Sequence, residues 1–186
     1  MPTVRDNIYE SNVAGYLTKG YGTGGAVFID AADITLHRET FLSNLAHHGG
    51  GVAMVNGAKD SLLNNLFLVN IGDKDSLGSG TGGACFIAGD QTRVVIGSPA
   101  RTNTFKYNSA AWGGAVGVTD QASLEARADT FNSNQAGYFT GVGDGGAIFA
   151  GNGTLADIGG NGVLEHGNWF TQNTAGIPEA PGLANG

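Results

Sequence analysis

The sequence predicts an all-β chain wound as a single-stranded, right-handed parallel β-helix, a solenoid of about five to six coils. Three observations carry that expectation. The first is a repeated phrase: an aromatic residue, two variable residues and an asparagine. It occurs as Tyr9-Glu-Ser-Asn12, Phe41-Leu-Ser-Asn44, Phe67-Leu-Val-Asn70, Phe105-Lys-Tyr-Asn108, Phe131-Asn-Ser-Asn134 and Phe170-Thr-Gln-Asn173. The second is a glycine pair after every phrase but the last, read at Gly24-Gly25, Gly50-Gly51, Gly82-Gly83, Gly113-Gly114 and Gly145-Gly146. Successive pairs are 26, 32, 31 and 32 residues apart. The third is the absence of any helical period over a window long enough to matter.

Each part of the repeat has a place in such a coil. Runs such as Ala26–Ile29, Ala84–Ile87 and Ala147–Ala150, and later ones such as Asp33–Leu36, Arg93–Ile96 and Ser123–Ala126, are short and end in Gly, Asn, Asp or Ser. That is how strands read. An antiparallel sandwich also uses short strands and glycine turns, but it does not repeat one motif at a near-constant offset. Stacking coils about 4.8 Å apart would bring equivalent residues into columns. The aromatics are expected to form an interior stack, and the asparagines a ladder at a turn, bonded to backbone and to each other. The paired glycines are expected to supply positive φ or a close backbone approach.

Composition narrows the class. Thirty-three glycines against four prolines, with no Gly-X-Y period, exclude collagen. With 13% charged and 41% hydrophobic residues the chain is not of disordered composition. A net charge of −7 and a pI near 4.8 argue against nucleic acid as a partner. The single Cys85 permits no intrachain disulfide, and its setting in Ala84-Cys-Phe-Ile87 reads as a small buried hydrophobe. No run of 18 apolar residues exists, so direct membrane insertion by a helix is not expected. Met1-Pro-Thr-Val-Arg-Asp6 shows no signal peptide. Residues 1–186 read as one domain, with repeats over about 9–173 and a tail over 174–186. Because the sequence starts and stops inside a repeat, it reads as a segment of a longer protein.

Gly-Gly-Ala followed by Ile, Val or Leu, alternating with Phe-x-x-Asn, resembles the repeat of the chlamydial polymorphic membrane proteins. Gly24-Gly-Ala-Val27, Gly113-Gly-Ala-Val116 and Gly145-Gly-Ala-Ile148 fit fully. Gly82-Gly-Ala-Cys85 departs at its last position, and Gly50-Gly-Val-Ala53 has its small and branched residues exchanged. The resemblance implies a β-helical passenger of the autotransporter type, exported to the cell surface or outside the cell and engaged in adhesion.

Recognition is expected where the repeats differ. The gap between asparagine and glycine pair alternates between long (Val13–Thr23, Ile71–Thr81, Gln135–Asp144) and short (Leu45–Gly49, Ser109–Trp112). If motif positions stack, the long gaps emerge at one corner on alternate coils. They carry Tyr16, Tyr21, Asp73, Asp75, Tyr138, Phe139 and Asp144, aromatics beside carboxylates that suit a glycan or a surface protein. No cofactor is expected. Asp73-Lys-Asp75-Ser-Leu-Gly78 has the start of a calcium loop without its third acidic ligand or closing Glu, and a plain polar turn is the other reading.

An enzyme is the weaker reading. There is no Gly-x-Ser-x-Gly and no metal spacing around His37, His47, His48 or His166; His47-His48 is expected to be solvated at a short turn. Asn152-Gly-Thr154 matches a glycosylation acceptor by chance alone. A polysaccharide-cleaving β-helix would gather carboxylates and a basic residue in a groove. Asp30, Asp33 and Asp60 with Arg38 and Lys59 are the closest material. A third reading is end-to-end self-association into a filament through uncapped strand edges.

Overall fold

The computed structural model describes residues 1–15, 22–73, 78–137, 143–159 and 167–176. Within them every regular element is a strand and every strand pairing is parallel. Sheet A stacks Thr3–Arg5, Thr35–His37, Lys59–Leu63, Arg93–Ile96, Ser123–Ala126 and Leu155–Ile158. Sheet B stacks Ile8–Glu10, Thr40–Leu42, Leu66–Leu68, Thr104–Lys106, Thr130–Asn132 and Trp169–Thr171. Sheet C stacks Leu45–Ala46, Ile71–Gly72, Ser109–Ala110, Gln135–Ala136 and Thr174–Ala175. Sheet D stacks Val27–Asp30, Val52–Val55, Cys85–Ala88, Val116–Thr119 and Ile148–Ala150. The chain visits A, B, C and D in turn and returns to A one layer on, which is a parallel β-solenoid.

Stacking is in register, so the sequence columns become physical ones. Tyr9, Phe41, Phe67, Phe105, Phe131 and Phe170 stack with ring centroids 4.7–4.9 Å apart and interplanar angles of 2–9°. The four central rings are fully buried, with Leu36, Leu62, Ile96, Met54 and Ile87 around them. Cys85 is buried in the same core, and burial pushes its thiol well up.

The asparagines beside the rings form a polar ladder. The ladder runs through Asn12, Asn44, Asn70, Asn108, Asn134 and Asn173, and from Asn44 onward each Oδ1 accepts the backbone N–H and the Nδ2–H of the asparagine one coil earlier, at 2.8–3.1 Å. Each Nδ2 from Asn44 onward also donates to the carbonyl of the aromatic one coil earlier. The turn therefore leaves no buried amide without a partner, which is why polar side chains can occupy an otherwise apolar interior.

A second ladder, not expected from the sequence, lies two residues before each aromatic: Asn7, Glu39, Asn65, Asn103, Asp129 and Asn168. Asn65, Asn103 and Asn168 donate Nδ2–H to Leu36, Leu62 and Ala126, one coil earlier. As a carboxylate, Asp129 cannot donate. Its Oδ2 is buried without a hydrogen bond, and burial pushes its carboxyl up to about 7 against the bonds it accepts from Asn103.

The glycine pairs divide their two expected tasks. The first of each pair (Gly24, Gly49, Gly82, Gly113, Gly145) has φ between 61° and 68°. At the second, such as Gly83, a methyl would overlap the carbonyl oxygen of Gly114 on the next coil. Pairing also corrects the second repeat. Val52 lies opposite Cys85 and Gly49 bonds to Thr81, so its pair is Gly49-Gly50 and Gly51 takes the place of Ala84. The exchange of small and branched residues read at Gly50–Ala53 was a slip of one position, caused by a run of three glycines.

Candidate functional site

The roots of the three long gaps lie on the corner between sheets C and D, with the short gaps between them. Gly22 O accepts the N–H groups of His47 (2.9 Å) and His48 (3.1 Å). Gly80 O does the same for Ala111 and Trp112, both at 3.0 Å. His47 and Ala111 are thus equivalent, as are His48 and Trp112. On the long-gap coils, Asp73 N–H bonds to Ala46 O (3.1 Å) and Gly137 N–H to Ala110 O (2.8 Å), which makes Asp73 the counterpart of Gly137.

Of the residues expected to form the ridge, Tyr16, Tyr21, Asp75, Tyr138 and Phe139 lie outside the described residues. Asp144 is exposed at the corner, and its carbonyl accepts Gly113 N–H at 2.9 Å. Asp73 is turned inward and buried, with Oδ2 accepting Gly78 N–H at 3.1 Å. The histidine pair is not solvated as expected. His47 is 4% exposed, and its Nδ1 lies 3.9 Å from Asp73 Oδ1. His48 is half-buried, stacked on Phe86 at 4.8 Å, with Nδ1 accepting Thr81 N–H. Burial first, and His47 second, push its imidazole down to about 4, so it is neutral at pH 7. Both burials come from the neighbouring coil, whose Asp73, Ser79, Thr81 and Phe86 pack against the turn.

Beside this corner the outer face of sheet D carries an aromatic ridge. Phe28, Ala53, Phe86, Gly117 and Phe149 stand in register, so phenylalanine alternates with a small residue from coil to coil. The short-gap coils fill the spaces from the corner. His48 packs on Phe86, and Trp112 meets Phe149 edge-on at 5.0 Å. Phe28 (53%) and Trp112 (39%) are exposed, and Trp112 Nε1–H donates to Gly78 O at 3.2 Å, which fixes its indole. Rings held flat or edge-on at a surface, with polar groups alongside, suit stacking against sugars or packing against a protein side chain.

The residues considered for polysaccharide cleavage are not gathered with a base: Asp33 is near enough to Asp60 to help raise its carboxyl, after burial, but neither Lys59 nor Arg38 joins them. Strand alternation sends Lys59 outward and Asp60 inward, where Asp60 Oδ1 accepts Ile34 N–H at 2.8 Å and burial pushes the carboxyl up to about 6. Arg38 is committed to Asp6, and Asp30 to Asn56. A groove of about 450 Å³ on the outer face of sheet A does hold Arg93, Glu125 and Asp157. There Arg127 Nη2 lies 2.6 Å from Asp157 and 3.4 Å from Glu125. The guanidinium keeps the Asp157 carboxyl low, so this pair offers polar contact and lacks the raised acid that glycoside cleavage uses.

No family model matches the chain, and no curated protein or solved structure matches it either.

Proposed function

We propose that this chain is a structural and adhesive module of a secreted or cell-surface protein, a β-helical passenger of the autotransporter type that presents one corner to a glycan or a protein. In this reading the helix is right-handed, with five to six coils, and the repeats belong with those of the polymorphic membrane proteins. The observation that carries it is the aromatic ridge. A solenoid satisfies its apolar demand with the inward rings, yet Phe28, Trp112 and Phe149 stand outside, in a row, beside the roots of all three long gaps. Rings placed there do nothing for the interior columns. The test is binding to a glycan array and to cell surfaces by the parent, by Phe28→Ala with Trp112→Ala, and by a variant with the long gaps cut to the length of Ser109–Trp112. Binding lost at an unchanged melting temperature supports the reading; binding retained by both variants refutes it.

A second reading is a filament subunit, favoured by the polarity of the ladders. Among the described residues no donor reaches Asn12 Oδ1 at one end, and Asn173 N–H finds no acceptor at the other. Another copy, or further coils of a longer chain, would join the two. Sedimentation across a concentration series decides it: a strict monomer at high concentration removes this reading and leaves the first intact.

A further inference from the structure

We propose that His47, Asp73 and Ser79 form a nucleophilic site at the long-gap corner, with Ser79 able to take an acyl group from a carboxylic ester. Ser79 Oγ lies 3.2 Å from His47 Nε2, and the opposite ring nitrogen, Nδ1, faces Asp73 Oδ1 at 3.9 Å. The carboxylate is 1% exposed and the imidazole 4%, while the serine is exposed. That is the order an acyl-transfer relay requires, with an inner carboxylate to orient, a histidine to carry the proton and an outer hydroxyl to attack.

Two further observations set this cluster apart from an ordinary polar turn. His47 Nδ1 is buried without a hydrogen-bond partner, and a modest closing of the 3.9 Å separation would supply one. Asp73 has φ = 137°, whereas its counterparts Gly15 and Gly137 sit at 70° and 72°. A side chain is thus held at a φ where the other long-gap coils use glycine, which is a strained choice. His47 likewise replaces the alanine of its counterpart Ala111. Both departures from the repeat fall at one junction and meet each other.

The surroundings hold the serine in place. Gly80 lies so close that a methyl on it would overlap Asp73 Cα, and Gly78 N–H bonds to Asp73 Oδ2, so Ser79 is pinned between two contacts with Asp73. The N–H groups of Ser79 and Gly80 donate to no described residue. Trp112 Nε1–H donates to the carbonyl of Gly78, the residue before the serine.

In the reaction the Ser79 hydroxyl proton passes to His47 Nε2 as the Oγ–carbon bond forms. The ester C–O bond then breaks, and the departing alkoxide takes the proton from Nε2. Water repeats the sequence on the acyl-serine, releases the carboxylic acid and restores Ser79. Asp73 is a positioning residue that keeps the His47 proton on Nδ1.

The experiment treats the whole chain with a fluorophosphonate and maps the adduct, using urea-unfolded protein as the baseline. Labelling of Ser79 in the folded protein is expected to exceed the baseline and to fall about 100-fold in His47→Gln. The ¹⁵N spectrum of His47 should show the Nδ1-protonated tautomer in the parent. Asp73→Gly should abolish that preference and the labelling while the melting temperature holds or rises. Ser79 reacting no faster folded than unfolded, or a His47 proton resident on Nε2, overturns the proposal. Either result is read on the parent alone, should a variant fail to fold. The adhesive reading does not depend on the outcome.

Discussion

Replacing Asp129 with asparagine should stabilise this protein, and by an amount that depends on pH. Asp129, like Glu39, occupies a fully buried position of the second ladder with a carboxylate in place of an amide donor. Burial raises its carboxyl from 3.8 to about 7, so the folded state favours the protonated form. The stability linked to this group is therefore complete below about pH 4 and is lost as pH rises through about 7. At ~1.36 kcal/mol per pKa unit, the full loss is roughly 4 kcal/mol. Asparagine does not ionise. By the register of Leu36, Leu62 and Ala126, its Nδ2 would meet the Ile96 carbonyl and add a hydrogen bond of about 1 kcal/mol. Urea unfolding of parent and Asp129→Asn at pH 4.5 and pH 8 measures both effects. The variant should gain about 2 kcal/mol at the lower pH, where part of the linked stability is already lost, and about 5 kcal/mol at the higher. Asp60, pushed up to about 6, titrates in the same direction but is present in both proteins and cancels in the difference. An identical gain at the two pH values would refute the account of Asp129, and a loss at pH 8 would refute the ladder itself.

The remaining predictions concern the columns. Phe105→Ala removes a fully buried ring stacked on both sides and should cost about 3–5 kcal/mol by denaturant titration, more than the same change at the half-exposed Phe170. Asn108→Ala strips the acceptor from Asn70 N–H and the donor from Phe67 O, at roughly 1–3 kcal/mol for each group left unpaired. It should leave glycan or cell binding unchanged in folded protein. Gly83→Ala places a methyl on the Gly114 carbonyl, with no flexible side chain to yield, and should abolish cooperative thermal unfolding.

The fold was legible because its determinants repeat in kind as well as in place. Phenylalanine and asparagine recur at fixed positions, and stacking translates that identity directly into columns. The second ladder recurs only in place. Its members are Asn, Glu, Asn, Asn, Asp and Asn, so a search for one residue type passes over it, although a hydrogen-bonding side chain two residues before every aromatic was there to be seen. His47 was misread for a different reason. A histidine pair in a short polar turn looks solvated until the coil above is placed, and contacts between coils involve residues 26 or more positions apart. Asp73 carried a local clue, since Asn12 and Asn134 are each followed three residues on by glycine where Asn70 is followed by aspartate. The outer alternation of Phe28, Ala53, Phe86, Gly117 and Phe149 was equally written in the chain, but its meaning required the register.

That alternation makes the outer face a ruler. Parallel strands lie about 4.8 Å apart, so phenylalanines on every second coil recur at about 9.6 Å along the axis. A single sugar or side chain gains one weak contact from such a row. A linear polymer whose own chemical repeat falls near the same pitch meets a second ring without a second diffusional search. Each further contact then forms at the high effective concentration set by the rigid spacing. The solenoid would thereby distinguish polymers by their periodicity as well as by composition, and inserting one extra coil between Phe86 and Phe149 would put Phe149 out of step with the polymer.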